Sequence, residues 1–447
     1  NIGGQSVMGW AHRYVIKDAP AFKTEKYTSN YKNFLAKIDF ELAAIQIYPS
    51  PGNAGYFQQF FSDFEAIRTT LLDDLNFGKR LKSAGFMKEE IAQVKANSKS
   101  EEEAMAALYK KVRDHANWNN RYSMYADISA HGVYNGKEAA SADINLFLTA
   151  VMREAGFDAS PVILSTRDHG FVHPVYPLIQ KYNHVICQIK HGEKTYLLDA
   201  IDKKIPFNML PENDLNDRGR LISEKGSKWV KLKPTQPYGT FIKTNMTITD
   251  EGTLEGEMDV QYSGYAAVSV RKEIDTEGLD HHKNSLASSS EGWDIREHTV
   301  KGLEEDNKPV EEHLEVSQEG SVENLGDIIY LNPIIAAADK ENPFKMKERL
   351  YPVDYAYPYI TDLTFTYKIP EGFKLDDKPA DASFALPNKW GTYDYTSTFE
   401  GNTLVVKSVF RINRPVFEAK YYQKLKDFYD QVVAKQAEQF VFKSAGE

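Results

Sequence analysis

The spacing of apolar and polar positions changes twice along this chain of 447 residues. Before about residue 55 and after about residue 236, apolar side chains recur at every second position, as in strands with one buried face. Between these parts, from about 60 to 156, the apolar positions repeat with the period of an amphipathic helix. The pattern therefore predicts three domains, which we place at 1–55, 56–235 and 236–447.

The N-terminal part ends in a segment that alternates strictly, Lys37–Leu42, before the turn residues Pro49–Gly52. A pair of strands is seldom stable alone. We therefore expect 1–55 to be the C-terminal end of a truncated N-terminal β-domain, which either packs on the middle domain or completes the part that has been cut away.

The middle part begins with helices and continues with strands. Ser62–Glu65 and Ser100–Glu103 have the spacing of capping boxes, which mark helix N-termini. A third, amphipathic helix runs from Ser141 to Gly156, since glycine suits the position after a helix end. Strands are predicted at 161–165, 183–189 and 194–198, so this part is predicted to be an α+β domain. After the second box, apolar residues at helical spacing predict a buried stripe of Met105, Leu108, Tyr109 and Val112.

The last part is predicted to be a β-sandwich with a terminal helix. Leu254–Tyr262 alternates cleanly after the turn at Asp250–Gly252. The segment 280–320 is polar and charged, and we expect it to be a long exposed connection. An amphipathic helix is predicted at 418–437. Further strands are expected at 326–331, 361–368, 393–399 and 403–412.

Composition excludes several classes of function. The formal net charge of −10 argues against a nucleic-acid surface or a polybasic membrane contact. No apolar run reaches the roughly 18 residues of a transmembrane segment. The single cysteine, Cys187, permits neither an intrachain disulfide nor a thiolate metal cluster. We therefore expect no cofactor and no metal site.

Three residues in the middle part have the order of a nucleophile, a base and an orienting acid. Ser141 begins the third helix, His184 lies 43 residues later on a strand, and Asp199 ends the next strand after a further 15. A helix N-terminus favours an anionic nucleophile, the histidine takes up its proton, and the aspartate fixes the ring. Neighbouring antiparallel strands would set His184 and Asp199 side by side. The layout is that of a papain-like or transglutaminase-like triad with serine as the nucleophile.

The same residues carry a family resemblance. Three elements resemble those of a bacterial transglutaminase-like core: the segment Ser141–Asp143 with the helix ending at Arg153–Ala159, the strand at 183–186 and the strand at 196–200. The whole chain is similar to large Bacteroidetes proteins that place this core between N- and C-terminal β-domains of unknown function. In the C-terminal part the resemblance rests on Leu350–Asp354, Ile369–Phe373 and Val432–Gln439.

The resemblance implies that His184 and Asp199 occupy the family's catalytic positions, while Ser141 stands where the family has its nucleophilic cysteine. A serine hydroxyl is not appreciably ionised at neutral pH, and a helix dipole with an imidazolium does not change that. We therefore expect a degenerate envelope protein, periplasmic or secreted, that retains a cleft around these residues for an unknown peptide, protein or envelope ligand. Ser141 itself is then interpreted as an ordinary N-cap.

Two alternatives stay open. Ser141, His184 and Asp199 would form an active hydrolase or peptidase if His184 served as general base. Alternatively, the β-domains would carry the function, in adhesion or glycan binding. Strand alternation turns Cys187 away from the face of His184, so we expect it to be a small buried apolar residue. Candidates to line the cleft are Trp118, Asn183 and His169.

Overall fold

The computed structural model describes residues 12–19, 21–38, 44–49, 54–59, 63–288 and 293–444. Most of the alternating segment 37–42, and Ser62 of the first capping box, lie outside the described residues. In the N-terminal part, strands β1 (Ala44–Ile47) and β2 (Tyr56–Gln59) form an antiparallel pair. The three domain boundaries stay predictions.

Among the described residues, four α-helices precede the helix that carries Ser141. Asp63 rather than Ser62 is the N-cap of the first of them, since its carboxylate accepts a hydrogen bond from Ala66 N at 2.8 Å. The predicted cap at Ser100 is confirmed, because its hydroxyl accepts a hydrogen bond from Glu103 N at 3.1 Å. All four residues of the predicted stripe are buried. The helices are α1 (Phe64–Asp73), α2 (Lys88–Asn97), α3 (Glu101–His115) and α4 (Ala130–Tyr134).

Helix α5 (Ser141–Glu154) is buried on all sides rather than amphipathic. Every residue from Ser141 to Met152 is buried. A β-sheet covers one side of the helix, and α2, α3 and α4 contact it elsewhere. The predicted helix end is confirmed, because Gly156 follows with φ +88°, a conformation that favours glycine.

A five-stranded antiparallel sheet packs against α5, in the order β7-β6-β5-β8-β9. The strands predicted at 161–165, 183–189 and 194–198 are confirmed as its three adjacent members. Residues of β5 and β6 contribute to cores on both faces of the sheet, which explains their unbroken apolar character. The strands of this region are β3 (Asn117–Trp118), β4 (Glu138–Ala139), β5 (Asp158–Leu164), β6 (His184–His191), β7 (Lys194–Leu198), β8 (Arg218–Ser223) and β9 (Gly226–Lys231).

The remainder of the chain is dominated by an eight-stranded sheet, in the order β12-β13-β11-β10-β17-β21-β20-β19. Only the central pair, β10 and β17, is parallel among its neighbours. The strands are β10 (Tyr238–Ile248), β11 (Leu254–Gly264), β12 (Trp293–Lys301), β13 (Val310–Gln318), β14 (Val322–Asn324), β15 (Ile328–Leu331), β16 (Val353–Asp354), β17 (Tyr359–Lys368), β18 (Phe373–Asp377), β19 (Ala382–Ala385), β20 (Gly391–Glu400), β21 (Thr403–Ile412), β22 (Val416–Phe417) and β23 (Phe440–Ser444).

The prediction of an exposed connection at 280–320 is wrong. After α6 (Tyr265–Glu277), the chain forms α7 (Leu279–Ser288) and then the long antiparallel pair of β12 and β13. Val310, Leu314 and Val316 are buried on one face of β13. The segment looks polar because the other face carries charges and because one buried position is held by Glu312, which pairs with histidines.

A second, four-stranded sheet, ordered β14-β15-β23-β18, shares one hydrophobic core with the eight-stranded sheet. The rings of Phe399 and Phe442, one from each sheet, lie 5.5 Å apart. Helix α8 (Tyr422–Gln436) confirms the predicted terminal helix and packs into the same core through Tyr422, Leu425, Phe428 and Val432. The fold is thus mixed α/β with several sheets, consistent with the predicted α+β, multidomain organisation. None of the described helices is long and apolar enough to span a bilayer.

Candidate functional site

The fold brings Ser141, His184 and Asp199 together at the N-terminus of α5. Ser141 is the first residue of α5, His184 is the first of β6, and Asp199 follows the last residue of β7. Cys187 pairs with Leu198 across the two strands, so the next position along β7 falls opposite Ile186. His184 and Asp199 therefore share one face by strand alternation.

The three side chains form a continuous hydrogen-bonded chain. Ser141 Oγ lies 2.9 Å from His184 Nδ1, and His184 Nε2 lies 2.8 Å from Asp199 Oδ2. All three residues are fully buried. In chymotrypsin-type triads, Nε2 faces the serine and Nδ1 faces the aspartate. The histidine ring is used in the opposite sense here.

The interpretation of Ser141 as an N-cap is wrong. The N-cap residue is Ala140, and the Ser141 hydroxyl bonds to the neighbouring loop instead of to helix N–H groups. Ser141 Oγ accepts a hydrogen bond from Ser123 N at 2.9 Å and donates one to Ser123 O at 3.2 Å. The loop before α5 runs beside the helix start, which a sequence pattern does not reveal.

Asp143 holds this loop against α5. Its Oδ2 accepts a hydrogen bond from Ala140 N at 2.8 Å, and its Oδ1 accepts from Asp127 N at 2.7 Å and Ile128 N at 2.8 Å. A buried carboxylate with three N–H donors is well compensated. Asp143 therefore fixes the position of Ser141 relative to the loop that bonds it.

Asn145, one turn further along α5, fixes Asp199. Its Nδ2 donates to Asp199 Oδ1 at 2.6 Å, and its Oδ1 accepts from Ala200 N at 2.9 Å. Burial opposes ionisation of Asp199, but the charge and hydrogen bond of His184, together with the bond from Asn145, outweigh it and lower the pKa of Asp199. Asp199 is therefore the ionised member of the site.

Asp214 is a fourth member of the site, which the sequence pattern did not reveal. It lies in the short 3₁₀ helix Glu212–Asp214 and is fully buried, with Oδ1 3.5 Å from His184 Nε2. Neither of its carboxyl oxygens accepts a hydrogen bond from an N–H or O–H donor of the described residues, but its carboxyl group meets that of Asp199, to which it can donate a hydrogen bond when it is protonated. Burial and the neighbouring charge of Asp199 raise the pKa of Asp214 well above its ordinary value.

These groups can also serve as metal ligands. His184, Asp199 and Asp214 each offer one donor atom, and the three atoms lie within 4.8 Å of one another. This is the one group of its kind among the described residues. An imidazole nitrogen with two carboxylate oxygens is a donor set that transition-metal ions accept.

The three predicted cleft residues lie around the site, and their place in a cleft stays a prediction. The Trp118 ring meets the edge of Tyr122, whose ring in turn lies 5.0 Å from that of His184. Asn183 holds the loop after β5, since its Nδ2 donates to Thr166 Oγ1 at 2.8 Å and its Oδ1 accepts from Thr166 N. His169 is exposed, with Nδ1 2.9 Å from Ser165 Oγ.

Cys187 is buried in the core beneath α5, as its position on the strand predicted. Burial raises the pKa of its thiol to about 12. A thiol that stays protonated and has no exposed surface is a poor nucleophile. Cys187 therefore does not replace the nucleophile at Ser141.

Two cavities of the described residues bear on ligand binding, and neither is lined by Ser141, His184 or Asp199. The larger, of about 480 Å³, lies between Arg153 and Lys225 and is remote from the site. A cavity of about 390 Å³ lies closer to the site. Its wall includes Asn213, which donates a hydrogen bond at 3.1 Å to the hydroxyl of Tyr122, the residue that contacts His184. Its other lining residues include Tyr27, Arg167, Asp168, Glu212, Asp354, Tyr355 and Tyr359.

The chain thus combines a mixed α/β fold of several sheets with a buried serine–histidine–aspartate group. Residues 327–442 match a family model described as a domain of unknown function with a solved structure, DUF3858. The fold is similar to a crystal structure titled a "putative protease" from Parabacteroides distasonis ATCC 8503, with a TM-score of 0.50 and 13% identity. That likeness covers 89% of this chain and 62% of the other, and it shows the fold alone. No curated protein sequence matches the chain.

Proposed function

We propose that this chain is a catalytically degenerate protein with a transglutaminase-like core, which acts by binding a peptide, protein or envelope ligand. One observation carries the proposal: Ser141 has no exposed surface, and Ser123 bonds its hydroxyl through both backbone N–H and C=O. A nucleophile must meet the substrate carbonyl at close range. A buried hydroxyl whose bonding capacity is filled leaves no place for that carbonyl.

The hydrogen-bond inventory supports this interpretation. A serine hydroxyl has one proton and two lone pairs. Ser123 N–H takes one lone pair at 2.9 Å, and the proton has two acceptors in reach, Ser123 O at 3.2 Å and His184 Nδ1 at 2.9 Å. Where Ser123 O takes the proton, His184 Nδ1 can meet the hydroxyl only as a donor and has no free lone pair to accept the proton of Ser141.

The resemblance adds a chemical reason for inactivity. In the transglutaminase-like family, a cysteine occupies the position of Ser141 and reacts as a thiolate paired with an imidazolium. Serine does not form the corresponding alkoxide at neutral pH. The envelope location that we propose comes from the same resemblance.

Ligand binding is proposed for the surface next to the site. The cavity of about 390 Å³ is linked to His184 through Asn213 and Tyr122. Its walls combine tyrosine rings with carboxylates, and such mixed lining is typical of sites that orient a ligand by a few polar contacts. A ligand there would contact the core without reaching Ser141.

The test is an activity assay of the purified protein with an amine donor plus a glutamine peptide, with unmodified peptides, and with activated esters. We expect the wild type and the Ser141→Ala variant to give the same background rate for every substrate. His184→Ala serves as a second comparison. Turnover that disappears in both variants would refute the degenerate interpretation.

An active serine hydrolase is the second candidate, favoured by the 2.9 Å and 2.8 Å contacts of His184 with Ser141 and Asp199. In that state, His184 is neutral, accepts the serine proton at Nδ1 and donates at Nε2. The loop holding Ser123 would have to move away to expose Ser141. A fluorophosphonate probe distinguishes the two candidates, because covalent labelling mapped to Ser141 by mass spectrometry requires an exposed, activated hydroxyl.

The adhesion or glycan-binding alternative receives little support from the packing. Glycan surfaces present exposed aromatic rings, whereas Tyr367, Tyr393, Tyr395 and Tyr429 all lie in the shared core of the two sheets. Among described residues after 236, the exposed large apolar side chains are Leu279, Leu325, Leu350 and Val416, none of them aromatic. The N-terminal part does expose aromatic rings, including those of Tyr48, Tyr56 and Phe57, so the alternative is weakened for the C-terminal sheets alone.

A further inference from the structure

We propose that His184, Asp199 and Asp214 bind a divalent transition-metal ion, for which zinc is the best match. The inference starts from Asp214, whose two carboxyl oxygens are fully buried and accept no hydrogen bond from a described N–H or O–H group. The donor atoms of the three residues lie within 4.8 Å of one another. The inference rests on the proposed function, because a metal at His184 Nε2 replaces the triad contact between His184 and Asp199.

The buried charges call for compensation. Two carboxyl groups face one imidazole in a region without solvent contact, and an uncompensated buried carboxylate is very costly. Asp199 is stabilised by Asn145 and by Ile201 N, but Asp214 has no comparable donor among the described residues. A proton shared between the two carboxyl groups leaves one negative charge for His184 to balance, whereas a divalent cation balances both carboxylates and leaves the imidazole neutral.

The donor set and spacing select the metal. Magnesium and calcium prefer all-oxygen sites with six or more ligands. Zinc prefers four ligands, which can be imidazole nitrogens and carboxylate oxygens. Two ligands of a tetrahedral zinc ion lie about 3.3 Å apart, given bonds of about 2.0–2.1 Å. His184 Nε2 is already 3.5 Å from Asp214 Oδ1, and its 2.8 Å contact with Asp199 Oδ2 needs to open by about half an ångström.

The surrounding hydrogen bonds have the form of a metal site's outer shell. A metal-bound histidine usually donates its other ring N–H to a fixed acceptor. Here that acceptor is Ser141 Oγ, 2.9 Å from Nδ1. The Ser141 hydroxyl in turn donates a hydrogen bond to Ser123 O. Asn145 holds the second oxygen of Asp199. Ser141 is thus a residue that positions the His184 ring, and this role does not require a thiolate.

Because the site is closed, the experiment loads metal during folding. Tag-free protein is unfolded in urea with a chelator, refolded with zinc, desalted and analysed for metal, and its affinity is measured by competition with a chromophoric chelator. We expect one zinc per chain. Asp214→Asn, which keeps the side-chain shape and a donor for Asp199, should weaken binding at least about 100-fold, and Ser141→Ala about 10–100-fold. Glu193→Gln, which replaces an exposed carboxylate in the turn between β6 and β7, is the control and should change nothing.

Absence of zinc in the refolded wild type, or equal binding by Asp214→Asn, would overturn the inference and favour the shared proton. If Asp214→Asn does not fold, anomalous scattering at the zinc edge from wild-type crystals decides instead: a peak within about 2.2 Å of His184 Nε2 supports the site, and none refutes it. Failure here is separate from failure of the proposed function. Hydrolysis lost on Ser141→Ala refutes degeneracy, whereas missing zinc leaves degeneracy untouched.

Discussion

Replacing Ser141 by alanine distinguishes a structural serine from a catalytic one through stability alone. Catalytic residues are often held in arrangements that cost stability, so removing them commonly leaves a protein as stable or more stable. A structural serine behaves in the opposite way. Its removal leaves its former hydrogen-bond partners buried and unpaired.

The structure sets the expected magnitude. Ser141→Ala removes the contacts of Oγ with Ser123 N, Ser123 O and His184 Nδ1, at 2.9, 3.2 and 2.9 Å. A net hydrogen bond contributes about 1 kcal/mol, and a buried group left without a partner costs about 1–3 kcal/mol. We therefore expect the free energy of unfolding to fall by about 2–4 kcal/mol.

The assay is urea unfolding at neutral pH, followed by tryptophan fluorescence and far-ultraviolet circular dichroism together. Thr149→Val is the matched control, because it removes one buried hydroxyl from the same helix. That hydroxyl donates a hydrogen bond to Asn145 O at 2.7 Å. We expect it to cost about 1 kcal/mol. If Ser141→Ala is as stable as the wild type, or more so, the structural role of Ser141 is refuted.

Three further predictions concern a thiol at position 141, the Asp143 anchor and a histidine outside the site. Ser141→Cys should show no thiol-dependent turnover. Because the position is fully buried, the new thiol should react with iodoacetamide at least about 10-fold more slowly than an exposed cysteine. Rapid alkylation would reveal an open site. Asp143→Ala should lower the stability to urea by about 3 kcal/mol through its three lost N–H partners, and Asp143→Asn by less; equal, small effects would contradict the anchoring role. At His282, burial opposes the charged ring, but Glu312 and Glu273 outweigh it and raise the pKa of His282, so this stabilisation is fully present below about pH 6.5 and is lost as pH rises through the raised pKa. The stability loss in His282→Gln, measured by thermal unfolding, should thus be larger at pH 6 than at pH 9, whereas the exposed neighbour in His281→Gln should show no such difference.

The sequence was sufficient to predict how Ser141, His184 and Asp199 come together. A helix start and two strands joined by a tight turn are local features, and strand alternation then places His184 and Asp199 on one face. The burial of α5 was not predictable in the same way. Its polar residues, such as Asn145 and Thr149, looked solvent-facing in the helical pattern, but they bond to buried neighbours.

Asp214 shows where local patterns stop being informative. It lies in a 3₁₀ helix of three residues after Pro211, and in such a sequence an aspartate normally indicates an exposed turn. Only the three-dimensional path of the chain brings it to His184. The same limit explains the error at 280–320, where Glu312 occupies an inward position of β13 and disguises a buried strand as a polar one.

The serine at position 141 and the carboxyl group of Asp214 are linked through the charge balance of the site. In a cysteine enzyme, the negative thiolate balances the positive imidazolium. The orienting residue therefore does not have to balance the imidazolium alone. A serine hydroxyl stays neutral, which leaves His184 and Asp199 to balance each other and leaves Asp214 without a counter-charge. Asp214 must then hold a proton, or share a cation with Asp199. A thiolate at position 141 would add a further negative charge to this buried group, and for that reason a thiol introduced there should stay protonated at neutral pH. The charges around Ser141 therefore fit a neutral hydroxyl.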